Sequence, residues 1–326
     1  MEKLSKQKLK AVRRVIQDNI CERTKEKLSS ENKLTDLHRK TPRILGGKYN
    51  LGNVELMTAE GHLIQHGNLV ERDPKYQSLK NSIDTKRYYT KLRVATFNKI
   101  DAYKRGDYEN PLIVEAFNID LQRYAELEKE ANKIILKKMK EIDHPLIKAS
   151  EGVRGLGPYF LAVLLVYINI YKAENVGKLW RYLGYDVASH ERYSKGDIKR
   201  NPEKGWGGNQ KLRTDMFNLA CSFIKQGNKN FYTPIYYQTK ERLSNSTAHT
   251  YSRMTGKSSV HRMMWKDTKP SHRHMAAIRK MMKHFLADMW FVWRELEGLP
   301  TRPMWIHTEK GGHTTIIKAT DRGWKI

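Results

Sequence analysis

The stretch V-R-G-L-G-P-Y-F-L-A-V-L-L, from Val153 to Leu165, decides how the chain reads. Gly155 and Gly157 bracket one apolar residue, Leu156, and Pro158 leads straight into an unbroken apolar run. Glycine tolerates the positive φ of a tight turn and lets another backbone come close. Proline suits the first position of a helix, where its missing N–H has no partner to lose. The pattern is a tight turn feeding a helix, and the free N–H groups at that helix start form an anion site. On a basic chain the expected anion is a nucleic-acid phosphate. Arg154, Gly155, Gly157 and Tyr159 are the residues expected to grip it, in a helix-hairpin-helix that holds the backbone without reading bases.

Downstream, K-L-W-R-Y-L-G-Y (178–185) reads as a short helix stopped at Gly184, followed by a polar, Gly-rich loop from Asp186 to Gly208. A connection this long inside a helical region is expected to be functional or disordered. Asn209 is placed to cap the next helix, on which Leu212, Met216, Leu219, Ala220 and Phe223 keep a 3–4 spacing up to Gly227. Between Leu243 and Ala287 the only acid is Asp267, and the cations there include Arg262, Lys266, Lys269, Arg273, Arg279, Lys280 and Lys283. Such an asymmetry is the footprint of a polyanionic partner. Met275, Ile278, Met282, Phe285, Met289, Trp293 and Leu296 predict the buried stripe of a helix starting near Ser271. The tail from Pro303 to Lys318 reads as a β-hairpin around Gly311 and Gly312.

Upstream, Pro111 to Ile142 is the longest periodic segment, with Leu121, Leu127, Ala131, Ile134, Ile135 and Met139 on one side. It reads as a packing helix or short coiled coil. Residues 75–110 carry Tyr88, Tyr89, Phe97 and Tyr103 among Lys and Arg at helical spacing; such rings can stack on bases, and the spacing favours core. Residues 1–43 read as mostly helical, with Leu9, Val12, Val15 and Ile16 as one apolar face among Lys and Arg. That helix is either a solvated surface helix or an arm along a phosphate backbone. A small β-hairpin is expected between residues 50 and 70, turning at Ala59–Gly61.

Together these elements predict a mainly α chain in four parts. They are a basic N-terminal region (1–110), a long linker helix (111–143), a helix-hairpin-helix domain (144–300) and a hairpin tail (301–326). The 326 residues carry a formal charge of +26 with 39% hydrophobic content, and the isoelectric point is near 9.9. No apolar run reaches the roughly 18 residues that would suggest a membrane span, and the basic N-terminus has no apolar leader segment. The partner expected is therefore nucleic acid and not a bilayer, in a cytoplasmic, nucleoid-associated location. Cys21 and Cys221 have no C-x-x-C companion and read as two structural thiols.

T-G-K-S-S at Thr255–Ser259 ends like a phosphate-binding loop, but Tyr251 stands where that loop needs a glycine. His261, His272, His274 and His284 fit no zinc spacing and sit among cations, so no metal site is expected. Ser194, in R-Y-S-K-G, is the one candidate nucleophile. Lys195, Lys199 and Arg200 around it can stabilise charge building on a phosphoryl group.

The ordered series G-L-G-P-Y-F-L-A-V-L-L, L-W-R-Y-L-G-Y, Y-S-K-G, G-N-Q-K-L-R and K-P…A-A-I-R-K resembles the C-terminal half of the IS one-ten family of insertion-sequence transposases. These are bridge-RNA-guided serine recombinases, and the likeness runs from Leu121 to Leu299. The resemblance implies DNA transposition or site-specific recombination, with Ser194 becoming covalently joined to DNA. It also implies DNA contacts at Lys211 and Arg213, a guide RNA and a homo-oligomer. Family members begin with a RuvC-like, Mg²⁺-binding acidic domain, and residues 1–110 contain no matching strand-Asp opening. The alternative reading is a non-catalytic helix-hairpin-helix protein, architectural or domesticated, and a structure-specific nuclease is a third.

Overall fold

The computed structural model describes residues 6–21, 25, 27–28, 35–39, 50–58, 73–105, 111–185, 208–253, 260–301 and 318–325. Among them the chain is mainly helical, with two two-stranded antiparallel ladders. Packing divides it between Gln77 and Ser78 into two compact units, whereas the sequence suggested a break near residue 110.

In the first unit, α1 (Lys6–Ile16) packs on β2 (Val54–Thr58), which pairs with β1 (Thr35–Arg39) in register Leu37↔Leu56. The expected apolar face of α1 is corrected here. Leu9 is fully buried, but Val12, Val15 and Ile16 are exposed. Polar groups do the docking instead. Arg13 donates to the Leu51 carbonyl at 2.6 Å, while Gln17 receives the Leu56 N–H at 2.7 Å and donates to the Leu56 carbonyl at 3.2 Å. A buried amide satisfied on both sides replaces the apolar contact that the spacing promised. Cys21, Leu28, Leu56 and Met57 form the small core beneath. The expected 50–70 hairpin is also revised, because β2 pairs upstream with 35–39, a segment read as helical; residues 59–72 lie outside the described residues.

The second unit is built around α9 (Pro270–Leu296). Its predicted stripe is buried at Ile278, Met282, Phe285, Met289 and Trp293, but Met281, Leu286, Trp290 and Val292 are buried too. The helix is therefore enclosed on several sides. It packs against α8 (Thr233–Ser244), α6 (Val176–Tyr182), α7 (Gln210–Lys225) and α4 (Pro145–Ala149). Phe223, Tyr232 and Phe285 meet ring to ring at 5.2–5.7 Å. Trp290 donates to the Ala173 carbonyl at 2.5 Å, and Arg294 caps the carbonyls of Ile170 and Pro300 at 3.0 and 2.9 Å. Neither Cys221, partly buried on α7, nor Cys21, in the first unit's core, is joined in a disulfide.

Two long helices, α2 (Pro74–Arg105) and α3 (Pro111–Lys140), run antiparallel through the second unit's part of α2. Lys138 donates to Ser78 and Ser82 at one end, and the rings of Tyr103 and Phe117 lie 5.8 Å apart at the other. Between them Glu128 accepts from Arg93 at 2.8 Å and pairs with Lys86 at 3.4 Å. On α3, Ala131, Ile135 and Met139 are buried as expected, and Ile134 is not. On α2 the expectation fails. Tyr88 and Phe97 are more than half exposed, while Leu79, Ile83 and Ile100 are buried. The helical period holds, but the buried face follows the aliphatic stripe and not the aromatic positions.

Residues 318–325 close the unit. Arg322 bonds both oxygens of buried Asp288 at 2.8 and 3.0 Å, and Asp288 also accepts from Tyr232. The Trp324 indole donates to the Tyr232 hydroxyl, and Lys325 N–H donates to the Ala149 carbonyl at 2.8 Å. Gly323, at φ +90°, lies so close to Gly152 that a Cβ on Gly152 would sit 2.2 Å from the Gly323 carbonyl oxygen. This segment thereby holds α4 and the turn that follows it. The tail hairpin expected at 303–318 falls on residues 302–317, outside the described residues.

Candidate nucleic-acid interface

The glycine turn joins α4 to α5 (Pro158–Tyr167). His144 caps α4 by accepting from Leu146 N–H at 3.1 Å. Gly155 adopts φ +89°, and a Cβ there would press on Phe223 at 3.0 Å. Its carbonyl accepts from the Ser222 hydroxyl at 2.9 Å, and the Arg154 carbonyl accepts from the buried Asn230 amide. The carbonyl side of the turn is thus tied to α7 and the loop beyond it. On the N–H side, Leu156 donates to the Val153 carbonyl at 3.1 Å. Gly157 caps α5 without any side-chain bond, and a Cβ there would meet nothing within 4 Å. The first N–H groups of α5 have no partner within the helix and carry its positive end. Arg154 is exposed at the same turn.

Tyr159 plays a different part from the expected outward contact. Lys86 Nζ lies 4.4 Å from its ring centre, and Arg87 and Asp215 act on its hydroxyl. Burial, and then the Asp215 charge, push that hydroxyl well above the ordinary tyrosine range. Arg87 also bonds Asp215 directly and covers the Tyr167 ring at 4.2 Å, while Tyr167 donates to Asp84 at 2.5 Å. Burial outweighs the Arg87 charge and leaves the Asp215 carboxyl above its ordinary value. The cluster locks α2, α5 and α7 together, so Tyr159 orients the helix start from behind. Neither Arg87 nor Asp215 was legible as a partner, since they are far apart in sequence.

A second basic area lies on α7, α8 and α9. Lys211 is exposed and Arg213 is half-buried on α7. Burial, and then the charge of Arg213, lower the affinity of Arg279 for its proton. Burial, and then Arg242, do the same to Lys280. One turn on, Lys283 Nζ sits 4.5 Å from the Trp180 ring centre. Like charges held this close raise one another's energy until an anion arrives. Positions 276, 279, 280 and 283 share one helix face, a spacing from which the cluster was readable. Arg242, on another helix, was not.

The remaining expected contacts separate by location. Arg262, Lys266 and Lys269 are exposed on and after β4 (Val260–Met264), which pairs with β3 (His249–Arg253) in a ladder that sequence reasoning passed over. The glycine of T-G-K-S-S, between those strands in sequence, is a turn signal as well as a phosphate-loop residue. Arg273 is turned to structural use. Its guanidinium donates to the carbonyls of Trp265, Lys266 and Thr268, holding the turn after β4. His272 and His274 pack beside Trp265 and Tyr236. Ser194, Lys195, Lys199 and Arg200 lie outside the described residues. Among the described residues, no group of three His, Cys, Asp or Glu side chains is placed to hold a metal ion, and no helix is long and apolar enough to cross a membrane.

Compared with known protein families, curated proteins and solved structures, the chain matches none of them.

Proposed function

We propose that this protein binds nucleic acid through its phosphate backbone and acts in DNA transposition or recombination, with Ser194 as nucleophile. The observation that carries the binding is the group of cations on α8 and α9, Arg242, Arg279 and Lys280, that line one cavity with no acid among its lining residues. The open N–H edge of the glycine turn adds a neutral anion grip at the start of α5. The transposase-like part rests on the likeness of residues 121–299 to the insertion-sequence family. In that chemistry Ser194 Oγ attacks a backbone phosphorus, the bond from phosphorus to one sugar oxygen breaks, and the serine proton leaves with that oxygen. A guide RNA and a second copy of the chain are further partners under this reading.

Two measurements test it. Binding of a labelled duplex should weaken about 10³–10⁵-fold between 50 and 200 mM salt if roughly 6–10 phosphates are contacted. A near-flat salt dependence sinks the backbone reading. Incubation with nicked or junction DNA should yield a denaturant-resistant adduct that Ser194→Ala abolishes. Strong binding with no adduct on any such DNA assigns the protein to the non-catalytic class.

A further inference from the structure

Between α8 and the start of α9 lies a cavity of about 250 Å³, lined by Arg242, Arg279 and Lys280 together with Trp265, Thr239 and Leu243. Its three charged lining groups all carry the same sign. The nearest acids in sequence, Glu241 on α8 and Asp267 after β4, do not line it. Grouped, partly desolvated cations without a counter-charge are costly to hold. Both Arg279 and Lys280 bear the mark of that cost, since each binds its proton less tightly than usual.

The aromatic wall is held in place. Trp265 N–H donates to the Ala248 carbonyl at 2.9 Å, and Lys266 N–H donates to the Ser246 carbonyl at 3.0 Å. The Trp265 carbonyl accepts from Arg273 and from the Thr268 hydroxyl. The His272 ring backs the indole at 5.2 Å. A rigid aromatic beside fixed cations is the arrangement that binds a phosphate and a flat or sugar-like group together. The volume lies just under the usual range of small-molecule pockets, roughly 300–1,000 Å³. That suits one sugar-phosphate unit and excludes a folded segment of nucleic acid.

We propose that this cavity is a binding site for a single phosphate-bearing nucleotide unit, its phosphate held by Arg242, Arg279 and Lys280 and its sugar or base set against Trp265. Resting on the nucleic-acid reading above, the unit belongs to a bound strand. A free nucleotide or inorganic phosphate has the same chemistry and is separated by experiment.

The test uses the full chain at constant ionic strength. Thermal melts are run with inorganic phosphate and with adenosine monophosphate, and anisotropy is measured with a labelled 12-nucleotide single strand. The double variant Arg242→Gln/Lys280→Gln is compared with Lys137→Gln/Lys140→Gln, which removes equal charge from exposed positions on α3. In the wild type, phosphate and the monophosphate should raise the melting temperature. In the cavity variant those shifts vanish, and strand affinity falls about tenfold more than in the control, as expected for lost charge-assisted bonds. The cavity variant without ligand should melt no lower than the wild type, because repulsion is relieved. Arg279→Gln provides a second variant with the same expectation. Equal losses in the two doubles, or unchanged phosphate shifts in the cavity variant, overturn the site while leaving nucleic-acid binding intact. If the wild type ignores the single strand and DNA duplex but still responds to phosphate, the backbone reading fails and the cavity stands as a site for a free ligand.

Discussion

Gly155 and Gly157 are two residues apart and carry opposite burdens. Gly155 is needed for conformation, because its φ of +89° and the 3.0 Å approach of Phe223 both exclude a side chain. Gly155→Ala should lower stability by about 1–3 kcal/mol, or roughly 2–12 °C for a unit of this size, read in a thermal melt. Gly157 has an extended φ of −73° and open space around its missing Cβ. Gly157→Ala should leave the melting temperature within about 1 °C, since unstrained surface changes cost little. Its nucleic-acid affinity should nevertheless fall, because the new methyl stands where a phosphate would approach the N–H groups. Affinity unchanged in a stable Gly157→Ala protein would remove this turn from the interface. Arg273 teaches the complementary lesson. A cation in a basic run reads as a phosphate contact, yet its Nη1 serves the carbonyls of one tight turn.

At the scale of elements, the α2–α3 pair is held partly by Glu128 between Lys86 and Arg93. Burial alone would raise the Glu128 carboxyl, but the bonds from Arg93 and Thr90 and the Lys86 charge hold it below its ordinary 4.5. A carboxyl lowered on folding lends stability that is complete above the unfolded value and is lost as pH falls through the folded one. Glu128→Gln should therefore cost about 0.5–1 kcal/mol near pH 7. The gap from wild type should close as the pH drops below about 4.5, measured by urea melts across the range. A gap independent of pH would mean that packing, and not charge, joins the helices. Glu297, also lowered despite burial by His144 and Tyr171, acts with the same sign, whereas the raised carboxyls of Asp215 and Asp288 act against it. The helices were largely legible, whereas the strands at 35–39 and in the 249–264 ladder were not. Asn209, Pro158 and Gly184 mark helix ends as expected, with Asn209 accepting from Leu212 N–H at 3.2 Å and Gly184 at φ +70°. The faces were less so. On α1 and α2 the buried stripe was chosen by partners elsewhere in the chain, which periodicity alone does not name.

For the whole molecule, a charge of +26 sets two effects of opposite sign. Self-repulsion destabilises the compact state, and salt screens it over about 10 Å at 0.1 M. Raising salt from 50 to 300 mM should lift the melting temperature of the free protein by a few degrees. The same change should release it from DNA. A melting temperature that falls with salt would show that specific ion pairs, such as Arg87–Asp215 and Arg322–Asp288, outweigh the general repulsion. Composition, the glycine turn and the helix signals were enough to establish a basic, mainly α chain with a tight turn leading into a helix start, because those properties follow from local backbone chemistry and total charge. Tertiary structure alone decided which cations are brought together. Arg242 meets Lys280, and Arg213 meets Arg279, only after α7, α8 and α9 pack. Residues distant in sequence have no local signal for one another, and burial is what turns their proximity into a force on a ligand.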